Sequence, residues 1–194
     1  NVMASALEAL AADPDKKPAV TAIDVLYTGH TSKEADLRLA AAAQELGNVI
    51  TGSMVEFGKQ VTWIDGHASL IDPSAVVNYL QPYEELRACT TQGHINAMSD
   101  LDGVMRHGLL YVEAGEAESA EAGARVYSMS YQAAQMYLQS PTSDWEPGEA
   151  DDGADFLKEA ADGDPLYYIP YTGRPGDFYD GVSIAQVIRG EVPA

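Results

Sequence analysis

The chain has 194 residues and carries 30 Asp and Glu against 11 Lys and Arg, a formal charge of -19. Such a surface repels phosphates and anionic lipid, which sets aside nucleic-acid binding by direct phosphate contact and binding to a membrane. One domain is expected at this length, no apolar run approaches the ~20 residues that span a bilayer, and the single cysteine, Cys89, excludes an intrachain disulfide or thiolate metal cluster.

Residues 3–12 are strong helix formers stopped by Asp13-Pro14. The run 19–27 reads as a strand ending at Thr28-Gly29-His30. Thr31 and Glu34 have capping-box spacing, Leu39, Ala42, Ala43 and Leu46 repeat at i, i+3, i+4 and i+7, and Gly47 supplies a left-handed stop. A helix over 32–46 follows from that pattern. Residues 48–71 change period and predict an antiparallel three-strand meander, with Asp65-Gly66 as a hairpin turn and Gly52 at a bulge.

Asp72-Pro73 has the form of a helix start, so a helix is expected over 73–89, interrupted near Pro82. The stretch 91–115 is broken by glycines and reads as strand or helix. A further helix is expected over 116–139, then a loop, a short helix at 154–161, a short strand at Leu166–Ile169, and a last helix at 182–189. Residues 141–194 hold twelve Asp and Glu against three Lys and Arg, and five of the sixteen aromatics fall between Tyr167 and Tyr179. Disordered tails are poor in aromatics, so this acidic arm is expected to dock on its own core or on a neighbour.

The expected architecture is therefore α+β: a mostly antiparallel sheet, made of a three-strand meander plus one further strand, packed with three to four helices and extended by the acidic C-terminal arm. The expected division is a core at 1–140 and the arm at 141–194. A doubly wound α/β fold is the alternative. It would need 49–57 to pair in parallel with 19–27 across the 32–46 helix.

Short chemical motifs are missing. Gly52-Ser53-Met54 does not extend to a nucleophile elbow, no Gly-rich phosphate loop follows a strand, and His94 and His107 lack helical zinc-ligand spacing. Asp100-Leu101-Asp102-Gly103 fails as a calcium loop, because Met98 and Leu109 fall where carboxylates are required. The weak catalytic candidates are His30 with Asp24 or Asp65, each beside a plainer role in a turn or hairpin. Asp144, Glu146, Glu149, Asp151, Asp152 and Asp155 form an acidic loop without cation spacing. No metal and no cofactor are expected.

Missing motifs and an aromatic arm point to a non-enzymatic structural or interaction subunit of a larger assembly, such as a virion or another multi-subunit particle. Its partners would be other proteins or copies of itself, met through Trp145, Tyr167, Tyr168, Tyr171, Phe178 and Tyr179. Two alternatives stand beside it: an enzyme without a short motif using His30 with a nearby carboxylate, and an acidic mimic or inhibitor of a basic protein. The opening residues lack the form of a signal peptide, and localisation stays open.

Overall fold

The computed structural model describes residues 1–58, 60–64, 67–72, 76–97, 102–113, 125–139, 166–169 and 181–191. Helix α1 (Val2–Ala11) is capped by the Asn1 side chain and buries Ala4, Ala6, Leu7 and Ala11. After a 3-10 turn at Pro14–Lys16, β1 (Thr21–Leu26) leads into α2 (Lys33–Leu46). The α2 cap is Ser32, which accepts from the Ala35 amide; Thr31, the expected cap, instead donates its hydroxyl to Asp36. Gly47 closes the helix at φ 84°, as its position after the apolar repeat predicts.

Strand β2 (Val49–Phe57) is central. Its first half pairs in parallel with β1 on one edge and with β6 (Thr91–His94) on the other. Its second half pairs antiparallel with β5 (Val76–Leu80). The fold class is α+β, and its four-strand sheet is mixed. The parallel β1–β2 pair across α2 is present because the hairpin signal belongs downstream, to β3 (Gln60–Ile64) and β4 (His67–Asp72). The turn residues Asp65 and Gly66 lie outside the described residues.

Two expected helices are corrected. Val76–Leu80 is a strand, because β-branched Val76 and Val77 and the pairing of Tyr79 with Val55 override the Asp-Pro start signal. Helix survives there only as α3 (Glu84–Arg87). The 116–139 helix is instead β9 (Arg125–Tyr127) followed by α4 (Met129–Leu138); 116–124 fall outside the described residues. Between them, β7 (His107–Leu109) and β8 (Tyr111–Glu113) are strands within the ambiguous stretch, with β8 paired to β9, while 98–101 and 114–115 lie outside the described residues.

The main core joins Leu7, Ile23, Leu39, Ala43, Leu46, Val49, Tyr83 and Leu86 between α1, α2, α3 and one sheet face. Burying a large side chain such as Leu39 stabilises by about 1.5–3 kcal/mol, while the many alanines let α2 approach its neighbours closely. Arg38 ties α2 to α1 through Glu8 and Ser5. Helix α4 packs on the other sheet face, over β6 and β2, where Gly93 leaves no side chain in its way. A smaller cluster gathers Leu110, Tyr111 and Tyr131, with Tyr127 stacked on Tyr131 at 4.5 Å.

Beyond residue 140, β10 (Leu166–Tyr168) pairs antiparallel with β7, and the Tyr167 ring fills the space above Gly108. The last helix, α5 (Ile184–Ile188), has a full capping box from Ser183 and Gln186 and packs against α1. The expected helix at 154–161 lies outside the described residues.

An added Cβ at Gly93 would sit 2.5 Å from the Met129 Cα, a backbone atom that cannot rotate aside. Gly93→Ala is expected to cost about 1–3 kcal/mol through overpacking, read as a lower thermal midpoint. Gly108→Ala would meet the Tyr167 ring instead. It should leave the midpoint nearer to wild type while exposing the amides of 166–168 to hydrogen exchange.

Candidate functional site

Among the described residues, most of the buried polar groups lie midway along β2 and at the carboxyl end of β6. In a strand, alternate residues share a face, so Val49, Thr51, Ser53 and Val55 follow one another on the core face of β2. Val49 belongs to the apolar core, whereas Thr51 and Ser53 are fully buried polar residues. Thr51 meets Thr90 hydroxyl to hydroxyl at 2.9 Å, and Thr90 donates to the Leu86 carbonyl at 2.8 Å. The Tyr79 hydroxyl donates to Ser53 Oγ at 3.3 Å, and burial pushes the Tyr79 phenol up.

His94 stands opposite Ser53 in the β2–β6 register and therefore shares its face. It is 2% exposed, and neither ring nitrogen has a hydrogen-bond partner among the described residues. Burial alone lowers its pKa from 6.5 to about 4, so the imidazole is neutral at ordinary pH. Beyond it, the Ile95 amide donates to the Ser53 carbonyl. The Asn96 carboxamide then accepts from the Val55 amide and donates to the Val55 carbonyl, at 2.9 and 2.7 Å. A side chain thus completes the β2 edge where β6 ends.

On the other edge, the neighbour of β2 changes at the same level. Leu26 of β1 pairs with Gly52, and Leu80 of β5 pairs with Met54. The β1 register shifts between Ile23 and Leu26, and an added Cβ at Gly52 would lie 3.1 Å from the Val25 carbonyl oxygen. The bulge expected at Gly52 is thus found as an irregularity in its partner strand. Tyr83 bridges the two strands by donating its amide to the Tyr27 carbonyl.

The loop from β1 to α2 holds a second polar cluster. Asp36 is buried and accepts from the Thr31 amide, the Thr31 hydroxyl at 2.8 Å and His30 Nδ1 at 3.1 Å. Burial pushes the Asp36 carboxyl up, but the Thr31 and His30 hydrogen bonds outweigh it and hold the group below its ordinary range. Tyr83 donates to the Asp36 carbonyl, and its phenol is pushed up to about 12, chiefly by burial. Asp36 and Glu34 occupy the first turn of α2, so the positive end of that helix already faces carboxylates of its own.

The sequence-derived candidates separate. His30 is 62% exposed and its carboxylate partner is Asp36; Asp24 lies exposed on β1. Asp65 lies outside the described residues, and His67 pairs with Ile64 in the β3–β4 hairpin. Asp102 is spent on the Val104 amide and an Arg106 ion pair at 2.8 Å. Tyr167 and Tyr168 belong to β10, whereas Trp145, Tyr171, Phe178, Tyr179 and the acidic loop 144–155 fall outside the described residues. Among the described residues, no three His, Cys, Asp or Glu side chains converge to hold a metal. Cys89 donates its thiol to the Ala40 carbonyl, and burial raises its pKa, so it is an inert core group.

Motif spacing passed over His94 and Ser53. The signal was a matched pair of dipeptides, Gly52-Ser53 and Gly93-His94, which the register sets side by side.

The CHASE2 domain model matches residues 1–194, the whole chain, and the chain belongs to that family. Comparison with curated proteins and with solved structures finds no match. CHASE2 domains are extracellular sensory domains of signalling proteins. That membership overturns the expectation of a structural subunit of a virion or similar particle, together with the assembly role given to the aromatic arm. No helix among the described residues is long and apolar enough to cross a membrane.

His94 supplies a pH signature. Its folded pKa lies below the unfolded value, so the unfolded chain takes up the proton first. Its contribution is present above pH 6.5 and drains away as pH falls toward 4, about 3 kcal/mol in total. Denaturant titrations of wild type and His94→Phe should diverge over that interval, with the variant flatter.

Proposed function

We propose that this chain is the ligand-sensing module of a signalling protein, and that a small molecule binds where β1 and β6 end beside the middle of β2, against Ser53, Tyr79 and His94. Membership in a family of extracellular sensory domains supports the sensory part of this reading. Domains of the family bind small-molecule ligands and sit in membrane-associated receptors. On this reading the membrane, set aside from composition, is the setting of the larger protein.

The observation that carries the location is His94. A buried polar group without a partner costs about 1–3 kcal/mol, and cores rarely keep one without a purpose. A ligand that supplies the missing partner recovers that cost on binding. The place also suits binding, since sheets with parallel strands take ligands where the carboxyl ends of the strands open and their neighbours diverge. Here that divergence is the exchange of β1 for β5 beside Ser53.

Family membership supports a role in recognition, and the chemistry of the site suits it. Tyr79 and Ser53 are joined by one long hydrogen bond that an incoming polar group can replace. Thr51 and Thr90 form the floor beneath them and are already paired.

A thermal-shift screen of the full chain against a small-molecule library, followed by amide chemical-shift mapping of each stabilising compound, tests the reading. Perturbations should centre on residues 51–54, 79 and 92–96. Tyr79→Phe and Ser53→Ala should each weaken binding by about two- to tenfold, the worth of roughly 0.5–1.5 kcal/mol for one hydrogen bond. Perturbations centred on the β7–β10 pair or on α1 and α5, with both variants binding as wild type, would overturn the site.

A further inference from the structure

We infer that the ligand taken against His94 is an uncharged molecule offering amide or hydroxyl groups, and that the site rejects anions and cations alike. This deepens the ligand-sensing reading above and rests on it. A neutral imidazole presents one N–H donor and one nitrogen acceptor, pointing away from one another. Its ligand therefore needs a hydrogen-bond acceptor for one nitrogen, a donor for the other, or both through separate groups.

The surroundings decide the charge. Strand β6 carries no charged residue, and neither do β5 and α4, which flank or cover the same end of the sheet. On β2 the one acidic residue is Glu56, which accepts from the Asn78 carboxamide. Arg87 of α3 donates to Gln81 and its charge is felt at the Tyr79 phenol, but not at His94; Asp36 of α2 is held by Thr31 and His30. Asp24 of β1 is exposed. Arg125, at the start of β9, lies over the Tyr111 ring at 4.3 Å.

Among the described residues no charged group contributes to the depressed His94 pKa, whose cause is burial. An anion brought against His94 would meet hydroxyls and a neutral ring, and among the described residues no cation acts on that ring. A cation would meet the same groups with no free carboxylate among the described residues. Either would lose its hydration without compensation, a penalty far larger than that for a neutral amide or alcohol. A metal ion would find a single imidazole and hydroxyls, short of the nitrogen, sulfur and carboxylate sets that hold transition metals.

The test uses the full chain labelled with nitrogen-15 histidine, with the His94 ring nitrogens observed directly. Acetamide, nicotinamide and glycerol serve as neutral probes; acetate, inorganic phosphate, methylammonium and zinc serve as charged ones. At least one neutral probe is expected to move the His94 ring resonances and to raise the thermal midpoint by roughly 3–6 °C at ten times its dissociation constant. The charged probes should leave the ring unmoved. His94→Gln, which keeps a donor and an acceptor, should weaken the neutral probe about tenfold, and His94→Phe should abolish its effect.

A charged probe that moves the ring while no neutral one does would overturn the ligand class and leave the site standing. Probes that bind with their shifts elsewhere and the ring unmoved would overturn the site itself. Silence from all three neutral probes overturns the inference. Because the ring is read in the wild-type chain, these outcomes do not depend on either variant folding.

Discussion

The peptide groups of β2 need partners along both edges, and no strand of this sheet is long enough to serve either edge alone. Buried backbone amides and carbonyls must be paired, so the partners change along the strand. β1 and β6 serve the first half; β5 takes over one edge and the Asn96 carboxamide extends the other. The change falls at Gly52 to Met54 on one edge and at His94 to Asn96 on the other. The site lies at that seam because a seam is where regular pairing stops and side chains take over.

Local physics wrote some of this plainly into the sequence. The Ala-rich repeat ending at Gly47 gave α2 because its spacing, cap region and stop all agreed. The segments at 2–11, 21–26, 166–168 and 184–188 were legible for similar reasons. Val76–Leu80 was not, because Asp-Pro is a strong local signal and the pairing of Tyr79 with Val55 is a distant one. The parallel partner of β2 was equally remote: Thr91-Gln92-Gly93-His94 has no strand composition of its own and is a strand because β2 and α4 enclose it. His94 was invisible for the same reason. Its importance comes from burial and missing partners, and neither is a property of spacing.

Thr51, Ser53 and His94 replace apolar residues at positions where the core could have continued. Valine at 51 or 53 would have extended the face that begins with Val49 and would have avoided desolvating hydroxyls. Thr51 is compensated through Thr90, and Ser53 through Tyr79, but His94 is not compensated among the described residues. Stability is therefore given up at one end of the sheet while the opposite end is packed with leucine and alanine. Such an uneven distribution is expected of a module whose bound and free states must differ in energy.

Surface charge and site charge then act at different ranges. The formal charge of -19 disfavours the approach of anions, but at physiological ionic strength it is screened beyond about 8 Å and affects encounter more than affinity. Affinity is decided by the groups that touch the ligand, and here those are hydroxyls and a neutral imidazole. The first turn of α2 would be the natural anion site at the end of β1, yet Asp36 and Glu34 already occupy its positive end. A cation is favoured by the outer surface but meets no free carboxylate beside His94 among the described residues, since Asp36 is held by Thr31 and His30. Among the described residues both signs are thus disfavoured by separate features, and the proposed ligand is a neutral molecule whose donors and acceptors match a ring left without partners there.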